Sequence, residues 1–389
     1  MIAALIMALA FALQATSVQA TPSAAAADAQ RAVLRPGQAA PSLQSAQLIK
    51  GEMVQNFSPG RTYVVEFWAT WCEPCKRSMP HLSELARQYK GRVTFIAVDS
   101  YEKSSHATVT QAKLLAQVQR FVQGKGRDLD MNVAMDDATG TLASHWLDAA
   151  EQGGIPTAFV VQDGRVVWIG HPQDLAQPLA EILAGRYDLQ SALVEFAQGQ
   201  ADRQEIHRLW DYPPFAEAVR REDYTTQISL WRQAFAMNPR LEMRQRLGLF
   251  PMLLHVDEAQ ARLYAREYIK SYDAQFNDAQ FNDPVARSEL LMSLAGEILH
   301  DPKIRHPDLN FALQLAQEGF AMTPTKGVDD YSSLAEALFA NGSRVKAIEL
   351  QQQAVAAAIK IPEYDPAHNR QVARQSSLLK KYQGPDHMQ

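Results

Sequence analysis

The sequence predicts an α/β domain, a mixed central sheet flanked by helices, followed by an all-α half that is a helical repeat or bundle. Three observations predict it. The nearly continuous apolar runs Tyr63–Trp68 and Val93–Val98 read as parallel strands covered on both faces, and each leads into a segment of helical period. Asp163-Gly164, between Ile155–Val161 and Arg165–Ile169, is a hairpin signal. Beyond about Asp188 the strand signals stop and helical periods run to the C-terminus. At 389 residues the chain exceeds one ordinary core, so two or three domains are expected.

In chain order, Ser58-Pro59-Gly60-Arg61 turns the chain into the first strong strand. Leu82, Leu85, Ala86 and Tyr89 then fall at helical spacing to about Lys90, with Pro80 expected to kink that helix. After the strand at Val93–Val98, a helix is expected over 110–123, with Leu114, Leu115, Val118, Phe121 and Val122 on its apolar face, and Gly124 to Arg127 stops it. A short strand over 131–135, a helix over 141–150, the hairpin and a helix over 175–183 complete the order β-α-β-α-β-α-β-β-α. The expected domains are an export signal at 1–20, a flexible linker at 21–36, the α/β domain at 37–188 and the helical domain at 189–389.

In the helical half, Ala312 and Ala347 lie 35 residues apart, close to the ~34-residue period of tetratricopeptide repeats, in which small residues let paired helices approach. A plain bundle gives the same pattern. The duplicated Asp-Ala-Gln-Phe-Asn at 273–277 and 278–282 is too short for a fold repeat and reads as an inter-helix loop or helix extension.

A net charge of −5 with no basic stripe gives nothing to neutralise phosphates, which sets nucleic acid aside as a partner. No histidine or cysteine pair has metal-ligand spacing, so no metal is expected. Ile2 to Leu13 is almost wholly apolar and ends before Val18 and Ala20, a pattern like an export cleavage site, although no Lys or Arg precedes it. The apolar stretch is short for a membrane span. A buried N-terminal helix is the alternative reading. Export to an oxidising compartment, with an uncleaved segment as a possible tether, is the expectation; no cysteine nearby allows an acylated anchor.

The chemistry is concentrated in Trp71-Cys72-Glu73-Pro74-Cys75, which holds both cysteines of the chain at a strand-to-helix junction. There the free N–H groups and the helix dipole favour a thiolate. A bridge across two residues closes too short a loop to staple the fold, so the spacing suits exchange. Cys72, behind Trp71, is expected to be the exposed nucleophile, and Cys75, further in, the resolving thiol. Glu66 stands on a strand otherwise suited to burial, where desolvation raises a carboxyl pKa and lets it exchange a proton with Cys75, unless it lies at a sheet edge with its head in solvent. The charge of Glu73 opposes the Cys72 thiolate and so points to a reducing couple. Ile155-Pro156 opens a buried strand; locally a cis proline beside a substrate and an ordinary trans proline fit equally well. His171 reads as an exposed loop residue and Trp68 as core, with Trp71 the ring that faces a substrate.

Val65 through Lys76 and Gly154-Ile155-Pro156-Thr157 resemble the thioredoxin superfamily, in particular the TlpA- and ResA-like exported thiol-disulfide oxidoreductases. The resemblance covers roughly 37–188. It implies a thioredoxin fold with an inserted helix and strand, Cys72 as nucleophile, Cys75 as resolving cysteine, Glu66 at the buried-acid position and Pro156 as a cis proline. With it go Trp71, Glu73, Pro74 and Ile155 as residues that face the substrate. It implies no cofactor beyond a redox-active Cys72–Cys75 disulfide, protein disulfides as substrates, an upstream membrane or periplasmic electron donor, and a bacterial periplasmic location. Several ResA-like members carry a second Glu shortly after the cysteines, where this chain has Ser78.

The leading expectation is an exported thiol-disulfide oxidoreductase that reduces protein disulfides, with the helical domain binding a client or partner. The alternative is a protein-interaction module regulated by its redox site. A peroxide reductase ranks behind both, because Ala69 occupies the position where that chemistry wants Thr.

Overall fold

The computed structural model describes residues 33–102, 110–275, 284–323 and 325–384. The expected export signal lies outside them, as do the second copy of the short duplication and the last two residues of the first.

The α/β half is one sheet. Its elements are β1 (Gln47–Lys50), β2 (Thr62–Trp68), α1 (Glu73–Gln88), β3 (Val93–Asp99), α2 (Gln111–Lys125), β4 (Asn132–Met135), the short α3 (Thr141–Ala143), β5 (Thr157–Gln162), β6 (Arg165–Gly170) and α4 (Ala176–Leu183). The strand order is β1-β4-β3-β2-β5-β6, with β2, β3 and β4 parallel and β1, β5 and β6 antiparallel to their neighbours. Every residue of β2 is buried, as its apolar run requires of a central strand. Side chains alternate along it. Val64 and Trp68 pack with α1, α2 and α4, while Val65 and Phe67 face Trp146, Leu147 and Phe159. Asp163 and Gly164 both take positive φ in the β5–β6 turn, the backbone that an Asp-Gly hairpin needs.

One element and one boundary differ from the expected order. β1, absent from that order, is a four-residue edge strand, half exposed, whose single pairing partner β4 left too short a pattern to read. The flexible linker was expected to reach residue 36, but from Val33 the chain is packed. Leu34 is buried, its N–H donates to Ala149 O at 2.7 Å, and residues 37–40 bond to the outer edge of β6. Covering that edge satisfies backbone groups that would otherwise be open to another strand.

The second half consists of α5 (Leu189–Asp211), α6 (Pro213–Arg220), α7 (Tyr224–Met237), α8 (Pro239–Val256), α9 (Glu258–Gln275), α10 (Pro284–His300), α11 (Leu309–Met322), α12 (Val328–Ala340), α13 (Arg344–Ile359) and α14 (Ala367–Gln383). From α5 to α9 and from α10 to α14 each helix packs on the next, around Trp231, Phe250, Leu294 and Tyr382. Ala312, Ala316, Ala335 and Ala347 are fully buried, and Gly319 sits so close to Ser288 O that a Cβ would lie at 3.1 Å. No helix among the described residues is long and apolar enough to cross a membrane.

The halves meet beside the cysteine motif. Lys76 on α1 is 8% exposed, and its Nζ donates to Asp365 Oδ1 and Oδ2 at 3.0 and 3.1 Å, while Glu73 Oε1 stands 2.6 Å away. Tyr364 stacks edge-on against Phe121 of α2 and lies over Gly124, where a Cβ would meet the ring at 2.1 Å. Asp365→Ala leaves the buried Lys76 ammonium with only the half-exposed Glu73, and losing the buried partner of such a pair costs up to about 3–5 kcal/mol. Urea unfolding of that variant is expected to show a loss of this order; a wild-type midpoint would contradict the docking described.

Candidate functional site

The site lies where β2 ends and α1 begins. Cys72 is the N-cap of α1, and its Sγ accepts the Cys75 backbone N–H at 3.2 Å, so the sulfur sits on the unpaired donors and the positive end of the helix. Pro74 occupies the first turn, where a missing N–H costs nothing. Cys72 and Cys75 are joined as a disulfide.

Cys72 was expected to be exposed and is not. It is 3% accessible, against 0% for Cys75. Its Sγ is turned to the loop before β5, 3.9 Å from Ile155 O, so the loop covers it. The Ile155-Pro156 peptide is cis, and the half-buried Ile155 and Pro156 form the rim opposite α1. On the other side Trp71 is 43% exposed, its indole N–H donating to Tyr101 O at 3.0 Å. That bond holds an open aromatic face beside the disulfide.

Glu66 lies in the middle of the sheet with no solvent exposure, paired in register with Ala97 and Ala158. It shares strand parity with Val64 and Trp68 and therefore points to the α1 face, the side of Cys72 and Cys75. Neither carboxyl oxygen has a hydrogen-bond partner among the described residues. Burial alone pushes its pKa from the ordinary 4.5 to about 8. It is a neutral acid at pH 7 and a base a little above, a range that overlaps an ordinary thiol.

A second carboxyl on that face was not singled out. Asp99, at the end of β3, shares parity with Ala97 and is wholly buried. Burial holds its pKa well above the usual range, and Glu102, Glu66 and Asp136 raise it further. Glu102 accepts the Thr70 N–H at 2.5 Å, which ties the β3 exit to the residues before the motif. Strand parity was the available signal, but an acid at a strand end more often belongs to a loop.

Glu73 also differs from expectation. Its carboxylate pairs with Lys76, so its charge is compensated and does not by itself disfavour the Cys72 thiolate. His171 is exposed and accepts the Gln173 N–H at 3.3 Å. Among the described residues no group of three or more His, Cys, Asp or Glu side chains is placed to hold a metal ion.

Residues 51–139 match the thioredoxin family model, a span that contains Glu66, both cysteines and Asp99. The α/β half has a thioredoxin-like fold. Among curated proteins, FixW of Rhizobium leguminosarum is 29% identical over 157 residues, covering 39% of this chain and 67% of that protein. The thiol-disulfide oxidoreductase ResA of Bacillus cereus is 34% identical over 110 residues, 28% of this chain and 53% of ResA, so the chain spans about half the length of that relative. Of solved structures, a thiol-disulfide isomerase from Corynebacterium glutamicum aligns over 40% of this chain and 96% of its own, at 20% identity and a TM-score of 0.29. The likeness is confined to a minority of this chain in each case. The thioredoxin-like half is joined to a helical domain that reaches the cysteine motif through Asp365.

Proposed function

We propose that the chain is an exported thiol-disulfide oxidoreductase that reduces protein disulfides, with Cys72 as nucleophile and Cys75 as resolving thiol. The observation that carries this is the Cys72–Cys75 pair at the N-terminus of α1, above an unpartnered buried Glu66. In the dithiol form, the Cys72 thiolate attacks one sulfur of a client disulfide, forms a mixed disulfide and expels the other client sulfur as a thiolate, which takes a proton. The Glu66 carboxylate then accepts the Cys75 proton, directly or through water. The Cys75 thiolate attacks Cys72 Sγ and releases the second client thiolate, which is protonated in turn. Two electrons and two protons pass to the client, and the chain is left as its disulfide, to be reduced again by a donor dithiol.

Trp71, Glu73, Pro74, Ile155 and Pro156 border the sulfurs and form the surface that a client meets. Support for export is the apolar stretch from Ile2 to Leu13, and for the reducing direction the burial of both sulfurs in an apolar cluster, which makes a thiolate costlier. A second reading, an interaction module governed by its redox state, draws on the Lys76–Asp365 link between disulfide and helical domain.

The full chain with dithiothreitol as donor is expected to catalyse reduction of the insulin disulfides. No rate above that of dithiothreitol alone would overturn the enzymatic reading in favour of the second.

A further inference from the structure

A solvent-open cleft of about 950 Å³ lies between α1 and the helical domain, with Glu73 and Arg77 on one wall and Glu289, Glu297, His300 and Asp329 on the other. Ser293, Gly296 and Gly327 line it too and, being small, keep it open. It starts at Glu73, the residue after Cys72. A polypeptide whose disulfide reaches Cys72 therefore lays its neighbouring residues along this cleft. The volume is at the upper end of the ~300–1,000 Å³ of small-molecule pockets, and its open side suits a chain segment better than an enclosed ligand.

The charges select the segment. Arg77 is already paired with Glu289 at 2.9 Å and His300 with Glu336 at 2.8 Å, so both cationic side chains of the lining are engaged. Glu73 is engaged by Lys76. Glu297 and Asp329 are exposed, and no hydrogen bond or ion pair engages either carboxylate among the described residues. Crowding in the cleft raises the Asp329 pKa against the pull of Arg374 and Arg77, and Glu73, felt from the opposite wall, and Asp330 add to the rise.

We propose that this cleft receives a lysine- or arginine-bearing segment flanking the client disulfide, with Glu297 and Asp329 as the carboxylates that meet it. The inference rests on the exchange reading above and adds the class of client. An acidic flank is repelled by the same charges, which gives discrimination as well as attraction.

The test uses the full-length chain, dithiothreitol as donor, and three fluorophore-quencher peptide pairs joined by a disulfide, identical except for three flanking Lys, Ser or Glu residues. Two exposed pairs at ordinary strength amount to a preference of about three- to tenfold in kcat/KM for Lys over Ser at low salt, shrinking as salt is added. In Glu297→Gln/Asp329→Asn the Lys-to-Ser ratio is expected to fall toward one, and thermal unfolding checks that this surface variant is folded. Equal rates on the three peptides, or an undiminished ratio in the variant, overturn the cleft proposal. Reduction of insulin without discrimination among the peptides sinks the cleft alone; failure on insulin and on every peptide sinks the exchange reading beneath it.

Discussion

Glu66→Gln is expected to slow disulfide reduction about a hundredfold, within the range of a lost general acid-base group, and to remove a pH dependence from stability. The sign follows from the direction of the shift. The folded-state pKa of about 8 lies above the ordinary 4.5, so the folded chain holds the Glu66 proton more tightly than the unfolded chain does. The contribution of the neutral carboxyl is complete below about pH 4.5, declines as pH rises toward 8, and is constant above it. At about 1.4 kcal/mol per pH unit, the decline is on the order of 5 kcal/mol across the window. Urea unfolding of wild type and Glu66→Gln should therefore diverge between pH 5 and pH 9, the variant gaining relative to wild type as pH rises. Parallel curves would mean that Glu66 reaches solvent or a partner.

Cys72→Ala is expected to lower catalysed insulin reduction by at least on the order of a thousandfold, since removal of a nucleophile leaves only binding and electrostatic contributions. Cys75→Ala, in contrast, keeps the first attack and loses release, so it should accumulate a mixed disulfide without turnover. Stopped-flow measurement of the first thiolate released separates the two. Equal loss in that first phase would contradict the assignment of Cys72 as sole nucleophile.

The redox motif was legible because its chemistry is local. Cys72 and Cys75 declare themselves by spacing and by the apolar run before them, and Glu66 by being a charge where the pattern asks for none. The core strands were legible for the same reason: β2 and β3 are buried on both faces and spell this in consecutive residues. Features that depend on distant residues were not. Lys76 reads as an exposed charge of an amphipathic helix until Asp365, 289 positions later, closes over it. The compensation of Glu73 is different: Lys76 stands three residues further along the same helix, so that pairing was within reach of the sequence, and the Glu73 charge taken alone overstates the field at Cys72. The burial of Cys72, like that of Lys76, was hidden, because the loop that covers it precedes β5, which pairs with β2 in the sheet but brings Ile155 from 83 positions away in the sequence. Asp99 was within reach of strand parity, but parity needs the register with β2 to show that both acids share a face. β1 was too short to display any period.

The central claim is that Cys72 exchanges directly with a client disulfide. It is tested most directly by mixing the reduced full-length Cys75→Ser variant with insulin and mapping the adduct by mass spectrometry after proteolysis. A stable disulfide is expected between an insulin chain and the peptide that carries Cys72, and none in the Cys72→Ser variant. An unmodified Cys72 in folded protein, or equal trapping through Cys75 when Cys72 is replaced, would contradict it.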